Sequence, residues 1–323
     1  MTSVLPPRSI LPVAPRTVPR ERTVETAAPV DVRATLAPHA RGRRDPAQQV
    51  GPDGAVWRAT RTRAGTATLR FLAVGPRCVT VQAWGYGAEA ALDAAPGLLG
   101  VHDDDTGFDP PPGVVRDAWR STRRVRLTRS GNVLEALVPA VLEQRVQTIT
   151  AHAAWRWLVL RHGEPAPGPV ADRMSVPPSA AAWAAVPSWD FHQAGVDPGR
   201  ARTVVACARL ASSLQRAADR SPGDPAEARR LWRTVPGVGV WTAAETAQRV
   251  LGDPDAVSVG DFHLAKQIGW ALTGERTDDD GMLALLEPYR GHRHRVVHHL
   301  LLAGVARAPR RGPRLELVDH RSS

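Results

Sequence analysis

The chain has almost no cysteine: of 323 residues only Cys78 and Cys207, far apart and in unrelated contexts. No CxxC occurs, which excludes a zinc ribbon, a disulfide framework and a four-cysteine iron–sulfur cluster. Lysine is scarcer still, for Lys266 is the single lysine among 42 basic residues. Side-chain amine chemistry therefore has one source. No apolar run reaches the roughly 18 residues that a membrane-spanning helix needs, and the first residues lack the apolar stretch of a secretory signal. These absences imply a cytoplasmic protein without a membrane partner. HExxH is absent too, and with it a common zinc-hydrolase signature.

Tryptophan and arginine are what the chain has in excess. Ten tryptophans stand beside four phenylalanines and two tyrosines. The net charge is +10 and the sequence pI about 11.1, a balance that favours a polyanionic partner such as nucleic acid. Arginine in place of lysine, with abundant alanine, proline and glycine, is also what a GC-rich genome produces, so charge alone decides little. A mass of 34.8 kDa allows about two domains.

Residues 1–50 hold eight prolines, eight arginines and four acidic residues without periodicity, the composition of a disordered tail. Residues 307–323 read as a second, basic tail. Residues 51–125 are expected to form a small sheet-plus-helix domain. Over 55–87 apolar and polar residues alternate, which predicts short antiparallel strands with Leu69, Phe71 and Ala73 on one face and Val79, Val81 and Ala83 on another. "GAEAALDAAPGLLG" predicts a short helix ended by Pro96 and Gly97. The acidic run at 103–105 lacks calcium-loop spacing and predicts a solvated turn. Residues 126–306 read as a helical domain. Its longest periodic segment, "VLEALVPAVLEQRVQTITAHAAWRWLVLRHG", places Pro139 in a first helical turn and Gly163 at the end. Asp224 followed by Pro225 marks another helix start. The fold class is therefore mostly α with an N-terminal α+β domain.

Within the helical domain, "LWRTVPGVGVWTAAETAQRVLG" joins two helical patterns through "PGVG". So short a link needs unusual backbone dihedrals, which Gly237 and Gly239 permit. The amides of Gly239, Val240 and Trp241 then open a helix with no intrahelical acceptor, a ready anion site. Thr242 is placed to cap the helix or to meet a phosphate. An ordinary αα-hairpin turn has the same shape.

The letters themselves are more specific. "VPGVGVWTA" resembles the hairpin of the helix-hairpin-helix DNA glycosylases, Leu/Val-Pro-Gly-Val/Ile-Gly-x-x-Thr-Ala. "AVSVGDFHLAKQ" resembles that family's apolar-x-Val-Asp-x-His-Val segment, and Asp261 matches its aspartate. "LVPAVLEQRV" is similar to the segment that precedes the side chain inserted into the duplex, which puts Arg145 at the wedge and Gln144 at the pocket wall or bracing the backbone. The resemblance covers residues 127–305. With the strands ahead of it, and "AWGYGAEAALDAAPGLLG", it extends to the alkylbase (3-methyladenine type II) subgroup over about 55–305. It implies a helix-hairpin-helix glycosylase fold preceded by a small antiparallel sheet, double-stranded DNA with a damaged base as partner, a monomer at the nucleoid, and no required cofactor. A monovalent cation on the backbone carbonyls of Arg233, Val235 and Val238 is a further family feature.

The same resemblance implies a chemistry. A carboxylate at a helix N-terminus, as expected of Asp261, stabilises positive charge developing on a sugar or orients water. The strand-cutting branch of the family carries a lysine where this chain has Trp241, so hydrolysis without strand cleavage is expected. An indole face at Trp241 would stack on a cationic alkylated purine. Two other classes stay open. A non-catalytic DNA grip would use the hairpin and have no use for Asp261. A metal enzyme would use His294 and His298, which have ligand spacing but no third ligand in the sequence.

Overall fold

Five strands pair antiparallel in the order β1-β5-β4-β3-β2: β1 (Arg20–Glu25), β2 (Gln48–Val50), β3 (Val56–Thr62), β4 (Gly65–Gly75) and β5 (Cys78–Trp84). This computed structural model describes residues 18–221 and 223–307. Of the tail expected over 307–323 all but residue 307 lies outside the described residues, as do the first 17 residues. A two-residue turn closes β3 onto β4, with Thr62 opposite Gly65, and Gly65 sits at φ +133. A register shift between Ala73 and Gly75 precedes the turn into β5. The alternation in the sequence becomes a pleat with two buried faces, but the two stripes expected on different faces, Leu69/Phe71/Ala73 and Val79/Val81/Ala83, are register partners and share one of them. Leu69, Phe71, Val79 and Val81 pack against α1 (Val32–Leu36) and α2 (Ala88–Leu98). Trp57 and Trp84 stack on the other face, 5.4 Å apart, under residues 166–176.

The tail expected over 1–50 is overturned from residue 20 onward. Residues 20–25 form β1, which pairs along its whole length with β5. Arg20 and Arg22 hold Glu89 and Asp93 of α2. Local composition carries no trace of a partner nearly sixty residues away. The two prolines expected to mark helix ends are also inside helices. Pro96 lies within α2, and Pro139 lies within α4 (Val133–Leu142), far from its first turn. Each removes one backbone donor. The apolar burial of α4, continuous from Ala136 to Leu142, outweighs that loss.

The remaining helices are α3 (Val114–Thr122), α5 (Thr148–His162), α6 (Ala180–Ala185), α7 (Ser188–Gln193), α8 (Pro198–Arg209), α9 (Ala211–Arg220), α10 (Pro225–Trp232), α11 (Val240–Val250), α12 (Leu264–Thr273), α13 (Asp279–Leu286) and α14 (Arg293–Leu302). Asp224 caps α10 through the Glu227 amide, with Pro225 at the first position. One core lies among α4 to α11, another among α3, α12, α13 and α14. The single long helix expected over 133–162 is two, α4 and α5, broken at 143–147. Among the described residues no helix is long and apolar enough to cross a membrane.

Two buried ion pairs tie these bodies together. Glu135 of α4 accepts from Arg58, Thr60 and the Arg61 amide of β3. Asp103 is not in a solvated turn: its side chain is 3% exposed and takes Arg295 of α14 at 2.8 Å, Arg126 at 3.3 Å and the Leu127 amide. The spacing of a chain cannot show that two arginines distant in sequence converge on one carboxylate. Removing one partner of a buried pair strands the other. Asp103→Ala is expected to destabilise the protein by about 3–5 kcal/mol in denaturant unfolding. Asp219→Ala, which breaks an exposed pair with Arg63, is expected to cost less than about 1 kcal/mol. Equal effects would contradict the assignment.

Candidate active site

The hairpin between α10 and α11 is built as the letters require. Gly237 has φ +89, and a Cβ there would collide with the Thr203 side chain of α8. Gly239 caps α11 with extended backbone, no side chain covers the helix start, and a Cβ there would meet nothing within 4 Å. Gly237 is thus needed for the turn, whereas Gly239 leaves the helix mouth open. The amides of Val240 and Trp241 face that opening with the positive end of the helix behind them. Val240 is exposed.

Gln144, from the break between α4 and α5, braces this turn. Its amide donates to the Gly237 carbonyl at 2.9 Å and to the Thr242 hydroxyl at 2.8 Å. Of the two roles open to Gln144 it has the bracing one. Thr242 is 2% exposed, so its hydroxyl holds Gln144 and does not face a ligand. Next to Gln144, Arg145 is exposed and is the only non-glycine with positive φ among the described residues, at +53. Such a conformation costs on the order of 1 kcal/mol and persists where surroundings impose it. Two residues before it, Glu143 is paired with Arg41 and His152; burial raises its pKa, but those partners outweigh burial and bring it down to about 2.

Asp261 sits where three donors converge. One oxygen accepts the amides of His263 at 2.8 Å and Leu264 at 3.0 Å, which opens α12. The other accepts the indole Nε1 of Trp241 at 3.1 Å. The carboxylate is therefore fixed from two elements, the segment before α12 and the first turn of α11. It borders a cleft of about 310 Å³. Glu245, Gln248 and Arg249 of α11 line one wall, and His294, Val297, His298 and Leu301 of α14 line the other. Both sets follow helical spacing, three and four residues apart. Trp241 is one turn before Glu245 but does not line the cleft; its indole is turned to Asp261 instead of forming a stacking wall.

The cleft walls were not read from the sequence. Their stripes are visible in the letters, but nothing local says that α11 and α14 face each other. His294 and His298 were noted for spacing alone. Among the described residues no three His, Cys, Asp or Glu side chains gather as metal ligands. Burial pushes the His298 imidazole down to about 4, with Arg295 and Arg249 adding to the effect and Asp103 opposing it. His294 is also held well below its usual value, first by burial. Phe262, 65% exposed beside Asp261, is a further surface ring that sequence reading passed over. Lys266 stacks on it, 4.6 Å from the ring centre. Of the carbonyls expected to hold a cation, that of Val235 accepts the Val238 amide at 3.0 Å, which leaves it a second lone pair.

No family model matches the chain. A probable bifunctional transcriptional activator/DNA repair enzyme AlkA of Mycobacterium tuberculosis is 35% identical over 153 residues, which is 45% of this chain and 29% of that protein. The chain thus spans under a third of the length of the curated relatives it matches. A 3-methyladenine DNA-glycosylase from Archaeoglobus fulgidus superposes with a TM-score of 0.71 at 15% identity, over 88% of this chain and 98% of that one. A Clostridium acetobutylicum 8-oxoguanine glycosylase/lyase, solved with double-stranded DNA containing cytosine opposite 8-oxoG, superposes at 0.65 with 11% identity, over 89% and 98%. The fold is that of the helix-hairpin-helix DNA glycosylases, as the hairpin letters implied.

The two hairpin glycines separate in a stability measurement. Gly237→Ala is expected to lose at least about 1 kcal/mol in thermal or denaturant unfolding, because the turn must leave positive φ and Thr203 must move. Gly239→Ala is expected to stay within about 0.5 kcal/mol of the parent. Similar losses at both would contradict the geometry.

Proposed function

We propose that this chain, which has the helix-hairpin-helix DNA glycosylase fold, is a monofunctional DNA glycosylase that extrudes an alkylated purine from double-stranded DNA and removes it by hydrolysis. The observation that carries the reading is the Asp261 carboxylate, held by Trp241 and two backbone amides at the edge of a cleft beside an open helix N-terminus. The name of the Archaeoglobus fulgidus neighbour, a 3-methyladenine DNA-glycosylase, supports alkylated purine as the substrate class, and that of the Mycobacterium tuberculosis relative supports DNA repair.

In this reading the amides of Val240 and Trp241, at the helix mouth that Gly239 leaves open, grip one phosphate of the damaged strand. Gly237 and Gln144 set the turn that presents them. Arg145, on the strained break, fills the gap left by the extruded base. The base enters the cleft between α11 and α14, and Asp261 faces the sugar. The C1′–N bond breaks with its electron pair leaving on the base; a cationic alkylated purine departs neutral. Positive charge on the sugar is stabilised by the Asp261 carboxylate. Water then forms the new C1′–O bond, and its proton passes to Asp261. The product is an abasic site in an unbroken strand.

Strand cleavage through a covalent imine needs an amine at the sugar. The hairpin carries none, and the amine of Lys266 donates to the Phe262 carbonyl while stacking on its ring. A monovalent cation on the carbonyls of Arg233, Val235 and Val238 belongs to the proposal as well. Neutral oxygen donors suit such an ion, and it would stiffen the turn that presents the amides.

The test is base release from duplexes carrying 3-methyladenine, 7-methylguanine or hypoxanthine. Asp261→Asn is expected to lower single-turnover release by at least about 100-fold, while duplex affinity holds or rises as a negative charge leaves the surface. Release at the parent rate would overturn the role of Asp261. A parent protein that binds duplex and releases no base would instead be a DNA grip.

A further inference from the structure

The cleft beside Asp261 has an unusual lining: no phenylalanine, tyrosine or tryptophan belongs to it. Its ring-bearing groups are two imidazoles on one stripe of α14, His294 and His298, with ring centres 5.9 Å apart and planes tilted by 47°. The charged groups on the facing wall are already used. Glu245 takes Arg249 at 2.8 Å on one oxygen and the Ser258 hydroxyl on the other. Arg249 also donates to the Pro38 carbonyl at 2.9 Å. What remains without a partner is Nε2 of His298, a buried ring nitrogen that makes no hydrogen bond.

Buried polar atoms are nearly always satisfied; the ring that carries this one lines the cleft, and a rotation of the imidazole would present the unpartnered nitrogen to a ligand atom there. We infer that His298, seconded by His294, is the group that reads the edge of the extruded base, and that this glycosylase selects purines by hydrogen bonding at α14 rather than by aromatic stacking. The inference rests on the glycosylase reading above and names the specificity residue within it. An uncharged imidazole offers one N–H and one lone pair. It can therefore meet either kind of atom on a purine edge without repelling a cationic base. The burial that holds both rings uncharged fits this role. The groups that face His298 from other elements are Arg249 of α11 and Asp103 of the loop after α2; Arg295, His294 and His299 share its own helix.

An edge-reading cleft discriminates among bases more sharply than a stacking one, because a base lacking the complementary atom leaves a buried group unpaired. The parent is thus expected to release 3-methyladenine, 7-methylguanine and hypoxanthine at clearly different single-turnover rates. His298→Leu is expected to shrink the ratio of best to worst by at least about tenfold. His298→Gln, which keeps a side-chain N–H, is expected to restore part of it. Affinity for a duplex carrying an abasic analogue, which puts no base in the cleft, stays at the parent value in both variants and reports their folding. Unchanged ratios with intact abasic binding would overturn the inference.

A second measurement is independent of activity. In the parent labelled with 15N at histidine, free 3-methyladenine is expected to shift the His298 imidazole signals. Saturating base that leaves them unmoved would also overturn the inference. A parent that releases no base from any duplex refutes the glycosylase reading instead, and the titration still decides whether His298 meets a purine.

Discussion

The site depends on one hydrogen bond between two segments twenty residues apart: the indole N–H of Trp241 on Asp261. It ties the first turn of α11 to the entry of α12. One end of that tie is an open helix N-terminus suited to phosphate, the other a carboxylate suited to positive charge on a sugar. In the proposed function the distance between phosphate grip and carboxylate is thereby set by protein rather than by substrate, which is what preorganised charge stabilisation needs. The two backbone amides on the other Asp261 oxygen complete the fixation.

The parts around this tie are held by burial of charge. Arg58–Glu135 locks the sheet to α4, and Asp103 locks the loop after α2 to α14 and to residues 126–127. The cleft lies among these bodies, so its shape follows from their docking. Arg41, Glu143 and His152 brace the break between α4 and α5 from behind. Gln144 and Arg145 project from that break, one inward to the hairpin, the other exposed. A straight helix over 133–162, as its periodicity suggested, would have carried neither to the turn.

Local signals were legible where a residue's own conformation is the message. "PGVG" demanded a tight turn, Asp224 with Pro225 demanded a helix start, and alternation over 55–87 demanded strands; all three are present. What was not legible depends on distant partners. β1 exists because Val24 and its neighbours pair with β5. Asp103 is buried because Arg295 reaches it from nearly two hundred residues away. Thr242, expected to cap the helix or meet a phosphate, is buried and its hydroxyl accepts from Gln144. Trp241, expected as a stacking wall, turns its indole N–H to Asp261 instead, since the letters do not say which way an indole edge turns.

The most direct test is Trp241→Phe, which keeps an aromatic ring at the start of α11 while the N–H that holds Asp261 is lost with the indole's second ring. The measurement is the single-turnover rate of base release, with duplex affinity followed alongside. The account predicts a fall in that rate of about tenfold or more at unchanged affinity, the loss of one charge-assisted hydrogen bond that orients the carboxylate. A variant that releases base at the parent rate would contradict it.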